Sequence, residues 1–331
     1  MSTLQTPAFL LRQNLSMAVG SRELANLGPD DALVRVQWAG LCGSDLHVMR
    51  TGAWVLEWPA TLGHEIYGTV EQAPEDGALV PGDAVVADSR IACGRCQQCT
   101  NGAPDRCVNV AFVGEACPGG FAELCVLPAE MLHQVPDELR SPVATLSEPL
   151  AVIVHALSLL RSEPRRVVIL GHGPIGALAH VELRRRFADI DIAVAEPAPL
   201  RAQLARALGA ATVESAGELA EGMYDTVIDA AGYESSLRDA IVLCAPRGQV
   251  LLLALSHRAV AVQPADLVER SICLLGANAF VDELPQAISL LAAQPWRYEP
   301  IITDAVSLTE LPGVARRQLE RPEAVKVLVC L

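Results

Sequence analysis

Four cysteines lie within fifteen residues of one another, in the segment CGRCQQCTNGAPDRC. They are Cys93, Cys96, Cys99 and Cys107. Four thiolates can surround a tetrahedral Zn(II) ion at about 2.3 Å, and the glycine, asparagine and proline residues between the cysteines allow the tight turns that such a site requires. Four protein ligands leave no coordination position open, so we expect a structural zinc site that holds a loop and does no chemistry.

Three other uses of these cysteines are disfavoured. An iron–sulfur cluster often shares the first spacings, but its fourth cysteine follows after a shorter gap and precedes a proline; here the gap is seven residues and a valine follows. A zinc ribbon needs a second close cysteine pair, which is missing. Disulfides are disfavoured because the N-terminus MSTLQTPAFLLRQNLSMAVG has no signal-peptide pattern, so we expect a cytoplasmic protein with reduced thiols.

The glycine-rich segment GHGPIG follows the apolar run VVIL directly and opens a helical pattern. This strand–turn–helix context is typical of a dinucleotide site. Gly171 permits the tight turn, Gly173 lets the backbone approach a pyrophosphate, and Gly176 allows close packing of helix on strand. Pro174 and Ile175 lie at the start of the helix, whose free N–H groups favour an anion.

Glu196 ends the next strand-like run, twenty residues after the last glycine of the loop. A carboxylate there accepts hydrogen bonds from the adenosine ribose and repels a 2′-phosphate, which favours NAD(H) over NADP(H). Arg201 either stacks on the adenine or is a solvated helix residue. The alternative for the whole segment is a glycine-rich turn without a ligand.

Two kinds of sequence pattern predict the two domains that hold these residues. The first ~140 residues are punctuated by glycine and proline and carry short alternating runs, which is typical of a β-rich domain. From Val167 onwards apolar runs alternate with helical patterns, which predicts βαβ units and a doubly wound parallel sheet. We predict a catalytic domain over 1–147, completed by about 285–331, and a Rossmann NAD-binding domain over 148–284.

Charge and length limit the partners of the chain. A net charge of −14 argues against nucleic acid, because a phosphate backbone requires a surface rich in lysine and arginine. It argues equally against an anionic membrane surface. The apolar runs are interrupted well short of the ~20 residues that span a bilayer, so no membrane partner is expected.

The motifs together resemble the zinc-dependent medium-chain alcohol dehydrogenase family. CGSDLH (42–47) and GHE (63–65) precede the four cysteines, and SEPLAVIVHA (147–156) and GHGPIG follow them, in the family's order. Glu148 stands where classical alcohol dehydrogenases carry a cysteine, which resembles the polyol and threonine dehydrogenase branch. The resemblance implies a GroES-like catalytic domain, a Rossmann domain and a homodimer or homotetramer.

The resemblance also implies a second, catalytic zinc, and therefore two Zn(II) ions per chain. Cys42, His64 and a carboxylate from Glu65 or Glu148 form a set of three ligands that leaves one position open to water or substrate. The sequence does not decide between the two glutamates. Zn(II) in such a site lowers the pKa of a bound hydroxyl group.

Four further residues have catalytic roles in this interpretation. The Ser44 hydroxyl accepts the proton of the alcohol, and His47 passes it to bulk water, for which its near-neutral pKa is suited. Asp45 accepts a hydrogen bond from the ring of His64 and fixes its tautomer. Glu65 either binds the metal or swings in as water exchanges.

The predicted reaction interconverts a small-molecule secondary alcohol, such as a polyol or cyclitol, and its ketone with NAD(H). Sorbitol is disfavoured, because Ala279 and Phe280 stand where sorbitol dehydrogenases carry an arginine and a tyrosine. Trp54 and Trp58 either line the cleft or cover the core of the first domain. The alternatives are a non-enzymatic NAD-binding sensor or scaffold on the same fold and a threonine dehydrogenase-like enzyme acting on an amino alcohol.

Overall fold

The computed structural model describes residues 4–257 and 259–331. The strands of its first part are β1 (Gln5–Leu11), β2 (Met17–Glu23), β3 (Asp31–Leu41), β4 (Glu65–Gln72), β5 (Ala84–Ala87), β6 (Arg90–Ile91), β7 (Ala111–Phe112), β8 (Leu124–Pro128) and β9 (Leu132–Gln134). The helices of this part are α1 (Gly43–Thr51), α2 (Gln97–Thr100) and α3 (Ser147–Ser158).

Within the described residues, the second part contains six more strands and four more α-helices before the return of the chain. The strands are β10 (Arg166–Leu170), β11 (Asp191–Ala195), β12 (Thr212–Glu214), β13 (Tyr224–Asp229), β14 (Cys244–Leu252) and β15 (Cys273–Gly276). The intervening helices are α4 (Pro174–Arg186), α5 (Pro199–Ala207), α6 (Ser236–Leu243) and α7 (Pro264–Val268). The last elements are α8 (Leu284–Ala293), α9 (Pro295–Tyr298), β16 (Ile302–Ser307), α10 (Leu311–Glu320) and β17 (Lys326–Cys330).

Strand β3 lies at the centre of the first sheet. It pairs antiparallel with β4, β8 and β17. Val34 and Val36 are buried, whereas Arg35 and Gln37 between and after them are exposed, as the period of two in a half-buried strand requires. Because β17 is the C-terminal strand, this pairing brings the end of the chain to the strand that leads into α1.

The second sheet is parallel and has the strand order β12-β11-β10-β13-β14-β15. Numbered within the sheet, this is the order 3-2-1-4-5-6 of doubly wound dinucleotide-binding folds, in which the ligand crevice lies where the order reverses, outside β10 and β13. The predicted β-rich part followed by a doubly wound parallel sheet is confirmed. The sequence did not predict β12, because this three-residue edge strand is only half-buried and has no apolar run.

The two sheets share a continuous core. One cluster of buried side chains includes Tyr67 from β4, Leu150 from α3 and Ile169 from β10. Helix α3 therefore packs between the sheets and carries its own polar residues into the space where they meet. No helix within the described residues is both long enough and apolar enough to cross a lipid bilayer.

Candidate active site

The start of α1 fixes the segment that carries Cys42. The Asp45 carboxylate accepts a hydrogen bond from the Cys42 N–H at 2.9 Å and another from the Gly63 N–H at 3.1 Å. One carboxylate therefore ties the helix start to the residue before His64. Gly63 has φ +91°, and an added Cβ would lie 2.7 Å from the Phe121 ring, so this position requires glycine.

Three potential metal ligands meet at this point. Donor atoms of Cys42, His64 and Glu65 all lie within 4.8 Å of one another. The pairing of β3 with β4 sets Gly40 opposite Glu65, and a Cβ on Gly40 would lie 1.8 Å from Glu65 Oε2. The absence of a side chain at position 40 therefore leaves the space that the carboxylate fills.

The position of Asp45 differs in one respect from the prediction. His64 Nδ1 lies 3.6 Å from Asp45 Oδ1, which is an ion-pair distance rather than a hydrogen bond; each oxygen of this carboxylate also accepts a backbone N–H. Burial by itself would lower the pKa of His64, but the Asp45 carboxylate and the Cys42 thiol together raise it well above its ordinary value. The site therefore favours a positive charge at this position.

Glu65 has a buried partner that the sequence did not predict. Lys326 Nζ lies 2.6 Å from Glu65 Oε1 and also donates to the Leu41 carbonyl at 3.3 Å. Both side chains are buried. Burial lowers the pKa of Lys326, but Glu65 and then Cys42 raise it above its ordinary value, so the lysine is charged. The available signal was the lysine inside the otherwise apolar run AVKVLVC.

Glu148 lies beside this group but outside the compact donor set. It is buried at the start of α3, and its Oε1 accepts a hydrogen bond from Ser89 Oγ at 2.7 Å. Burial raises the pKa of Glu148, and the nearby Glu65 raises it further, while His64 lowers it. Ser89 supplies a hydroxyl and no charge, and among the described residues no lysine or arginine forms an ion pair with the Glu148 carboxylate.

The predicted relay residues both lie on α1. Ser44 and His47 are both half-buried. The His47 ring lies 4.8 Å from the Trp54 ring and 5.6 Å from the His257 ring, measured between centroids. His257 was given no role from the sequence, because an isolated histidine in a loop carries no signal.

Glu115 is another acidic residue near the site that the sequence analysis missed. It lies on the turn after β7, and its carbonyl accepts a hydrogen bond from the Leu56 N–H at 3.1 Å. A Cβ added to the neighbouring Gly114 would lie 3.1 Å from the Gly63 backbone nitrogen, so this turn lies against the segment that carries His64. Burial raises the pKa of Glu115 to about 7, while His64 lowers it.

The four clustered cysteines form a compact group of their own around α2. Their sulfur atoms all lie within 4.8 Å of one another. The Cys96–Cys99 and Cys96–Cys107 sulfur distances are 3.5 Å and 4.0 Å. A tetrahedral zinc site with Zn–S bonds of about 2.3 Å has sulfur atoms about 3.8 Å apart, which lies between these values. All ten cysteines of the chain are free of disulfide bonds.

The cysteine group also fits a cation electrostatically. Backbone N–H groups of Arg95 and Cys96 lower the pKa of Cys93 to about 6. Desolvation and the neighbouring thiols raise that of Cys99 to about 12, because a further negative charge among close sulfurs is unfavourable. A dication at the centre reverses this effect and stabilises all four thiolates together.

The glycine loop has the geometry that its sequence predicts. Gly171 has φ +82°, and a Cβ there would lie 3.0 Å from Ala231 Cα. A Cβ on Gly176 would lie 2.0 Å from the Gly171 carbonyl oxygen, so α4 reaches the strand only because both residues are glycine. Pro174 is the first residue of α4, and Ile175 packs against the core.

Glu196 and Arg201 flank this loop. Glu196 Oε2 accepts a hydrogen bond from the His172 N–H at 2.7 Å, and its Oε1 accepts one from the Ala198 N–H at 2.8 Å. Arg201 is not a solvated helix residue. Its guanidinium lies beside Gly173 and donates two hydrogen bonds to the Ala324 carbonyl, at 2.9 and 2.8 Å, and burial lowers its pKa.

Two family models together cover most of the chain. The model described as "Alcohol dehydrogenase GroES-like domain" matches residues 28–137, and the model described as "Glucose dehydrogenase C-terminus" matches residues 141–329, more than half of the chain. The chain belongs to the zinc-dependent medium-chain alcohol dehydrogenase family.

Individual relatives of this dehydrogenase match over nearly their full length. The starvation-sensing protein RspB of Escherichia coli is 27% identical over 323 residues, which cover 92% of this chain and 95% of RspB. The D-altritol 5-dehydrogenase of Agrobacterium fabrum is 29% identical over 315 residues, or 92% of this chain and 93% of that enzyme. A zinc-binding dehydrogenase from Sinorhizobium meliloti, solved with NADP bound, is 28% identical with a TM-score of 0.89, covering 99% of this chain and 100% of that one.

The predicted family, the GroES-like and Rossmann fold and the class of enzyme are confirmed: the dehydrogenase is an NAD(H)-dependent oxidoreductase acting on a secondary alcohol. The two alternatives, a sensor without activity and an amino alcohol dehydrogenase, are not favoured. The roles of single site residues, the two zinc ions and the domain boundaries stay predictions.

The structure gives the surroundings of two residues that the sequence analysis considered for the substrate cleft of the dehydrogenase, and for Trp58 they match the alternative of covering the core of the first domain. Phe280 is buried, with the Arg90 guanidinium 4.1 Å above its ring. Trp58 packs against the core of the first sheet. Trp54 faces His47 instead, so the two tryptophans of this loop have different surroundings.

Replacing Glu196 with alanine tests its effect on cofactor choice. Glu196→Ala removes the negative charge beside the loop, so we expect the ratio of the NADPH to the NADH dissociation constant to fall by about tenfold, or about 1.4 kcal/mol. Fluorescence titration of both reduced cofactors measures this ratio. Glu214→Ala, an exposed carboxylate on the neighbouring β12, should leave it unchanged; an equal ratio in wild type and Glu196→Ala contradicts the role.

Proposed function

We propose that the dehydrogenase carries out its reaction at a zinc ion in the cleft between a catalytic domain, 1–147 with about 285–331, and a Rossmann domain, 148–284. The observation that carries the proposal is the convergence of Cys42, His64 and two buried glutamates at one end of the first sheet. Sulfur, imidazole and carboxylate are the ligand types of catalytic zinc sites. The predicted crevice of the second sheet receives the dinucleotide on the other side of the cleft.

Proximity and charge favour different glutamates as the third ligand. Glu65 is closer to Cys42 and His64, but binding a metal would separate it from Lys326 and leave a buried lysine without its partner, at a cost of about 3–5 kcal/mol. Glu148 is a buried carboxylate with a hydroxyl as its partner, and burying such a charge is unfavourable unless a cation neutralises it. We therefore assign Cys42, His64 and Glu148 as the ligands and Glu65 as a neighbour held by Lys326.

Zn(II) held by these residues would supply a Lewis acid that lowers the pKa of the alcohol, and a bound nicotinamide would supply the hydride acceptor. The chain's own residues bind and move the proton. The Ser44 hydroxyl, two residues after Cys42, accepts it from the alcohol, and His47, one helical turn further along the exposed side of α1, releases it to water. Asp45 holds the backbones of Cys42 and Gly63 and so keeps the two ligand residues together.

The substrate we propose is a secondary alcohol of the polyol or cyclitol class. The relative from Agrobacterium is named for D-altritol, a sugar alcohol. This chain has Ala279 and Phe280 where sorbitol dehydrogenases carry donors, so its contacts to further hydroxyl groups differ from theirs. The half-buried Glu115 carboxylate is an acceptor that such a hydroxyl group could use.

We further propose NAD(H) over NADP(H), a structural zinc at the cysteine group, and a homodimer or homotetramer in the cytoplasm. Glu196 supports the cofactor preference, although the similar Sinorhizobium protein was solved with NADP. The sulfur spacing supports the structural zinc. Ten free cysteines suit a reducing compartment.

A panel of alcohols tests the activity directly. Secondary alcohols, cyclitols, amino alcohols and sugar alcohols including D-altritol are offered with NAD⁺, and NADH formation is followed by absorbance. We expect turnover that Cys42→Ser abolishes without weakening NADH binding, whereas the exposed Cys330→Ser keeps it. A wild type that binds NADH and oxidises nothing in the panel would favour a sensor.

Zinc content distinguishes the two glutamates. We expect Glu148→Gln to reduce the catalytic zinc, from two ions per chain to one, because it removes the charged ligand. Glu65→Gln should keep two ions. Since that variant leaves Lys326 unpaired, the double variant Glu65→Gln/Lys326→Met is measured with it. Loss of zinc in the Glu65 variants and retention in Glu148→Gln reverses the assignment.

The structural zinc is tested at Cys99. Cys99→Ser removes one of four ligands, so we expect loss of one zinc ion per chain and a melting temperature lower by roughly 5 °C or more. Elemental analysis and calorimetry measure both. Cys273→Ser, outside the cysteine group, should retain two zinc ions; the same zinc content in all three proteins rules the site out.

A further inference from the structure

Three aromatic rings lie in contact with one another and come from both parts of the chain. His47 lies on α1 and Trp54 on the loop after it, whereas His257 lies on the loop that follows β14 of the parallel sheet. The ring centroids of His257 are 5.6 Å from His47 and 5.7 Å from Trp54, and those of His47 and Trp54 are 4.8 Å apart. The contact therefore joins the cofactor-binding half of the molecule to the relay helix.

Trp54 is held against His47 by the backbone of its loop. It has φ +67°, in the left-handed region that a bulky residue rarely adopts. Two hydrogen bonds fix the segment that leads into it: the Ala53 N–H donates to Thr51 Oγ1 at 3.2 Å, and Thr51 Oγ1 donates to the His47 carbonyl at 2.8 Å. One of the two rings that contact His47, that of Trp54, is thus supplied by the same segment of chain.

The second ring that contacts His47 is that of His257, and it affects the pKa of His47. Partial burial lowers the pKa of His47, the neighbouring His257 lowers it further, and Arg50 on the same helix adds to the effect. Arg50 is itself anchored by a hydrogen bond to the Leu319 carbonyl at 2.8 Å. These influences favour the neutral imidazole, which is the form that can accept a proton.

We propose that His257 is a positioning residue for the proton relay: it seats the His47 ring against Trp54 when the loop after β14 lies over the cleft. The path by which the proton leaves therefore depends on residues from both halves of the chain, His47 from the first and His257 from the second. The overall reaction balances as alcohol and NAD⁺ giving ketone, NADH and one proton, and that proton leaves through His47. His257 changes no covalent bond. The inference rests on the proposed role of His47.

Tryptophan fluorescence tests the proposal without a substrate. A protonated imidazole quenches an indole in contact with it, so the pH titration of Trp54 emission reports the protonation of His47 and its neighbour; the difference from Trp54→Phe isolates this signal. We expect His257→Ala to shift the titration to higher pH. The His257 ring partly buries His47 and repels its positive charge, so removing the ring raises the pKa of His47. His257→Phe keeps a ring but no charge, so we expect a smaller shift in the same direction.

The matched control is Leu255→Ala, an exposed residue on the same loop. It should titrate like the wild type, and NADH binding should confirm that all variants fold. An unchanged titration in both His257 variants, or an equal shift in Leu255→Ala, overturns the proposal. Because this readout needs no turnover, it is independent of the alcohol panel: inactivity there contradicts the proposed function, and an unshifted titration contradicts the role of His257.

Discussion

The site depends on how buried charge is neutralised where β3, β4, α3 and β17 meet. Three carboxylates, Asp45, Glu65 and Glu148, are buried there. Two of them have partners within the chain: Asp45 bonds two backbone N–H groups and faces His64, and Glu65 pairs with Lys326. Glu148 has a serine hydroxyl. A buried carboxylate without a cation is unfavourable, which is the reason for the proposed metal ion between Glu148, Cys42 and His64.

This requirement explains why the site joins distant parts of the sequence. Cys42, Asp45, His64 and Glu65 come from one local unit, β3–α1–β4, whose antiparallel pairing places the end of one strand beside the start of the next. Glu148 and Lys326 arrive on α3 and β17, from far along the chain. Glycine at position 40 leaves the space that the Glu65 carboxylate fills, and glycine at position 63 leaves room for the Phe121 ring beside His64.

The cofactor half contributes more than a binding loop. Glu196 bonds the backbone of the glycine loop and orders it before any ligand is bound, which lowers the entropy that binding must otherwise lose. His257 extends from the same half to the relay helix. The two halves of the chain are therefore in direct contact through side chains outside the proposed metal centre.

The sequence by itself determined the local chemistry: the cysteine spacing, the glycine loop with Glu196, and the order of motifs that identifies the family. These signals can be recognised in the sequence because each depends on residues close together in the chain or on a fixed turn geometry. Only the tertiary structure decided which charges face one another. The pairing of Glu65 with Lys326, the burial of Phe280 under Arg90, the anchoring of Arg201 and the contact of His257 with His47 all join residues more than a hundred positions apart. No local pattern records such pairs, because they are fixed by how the two sheets pack.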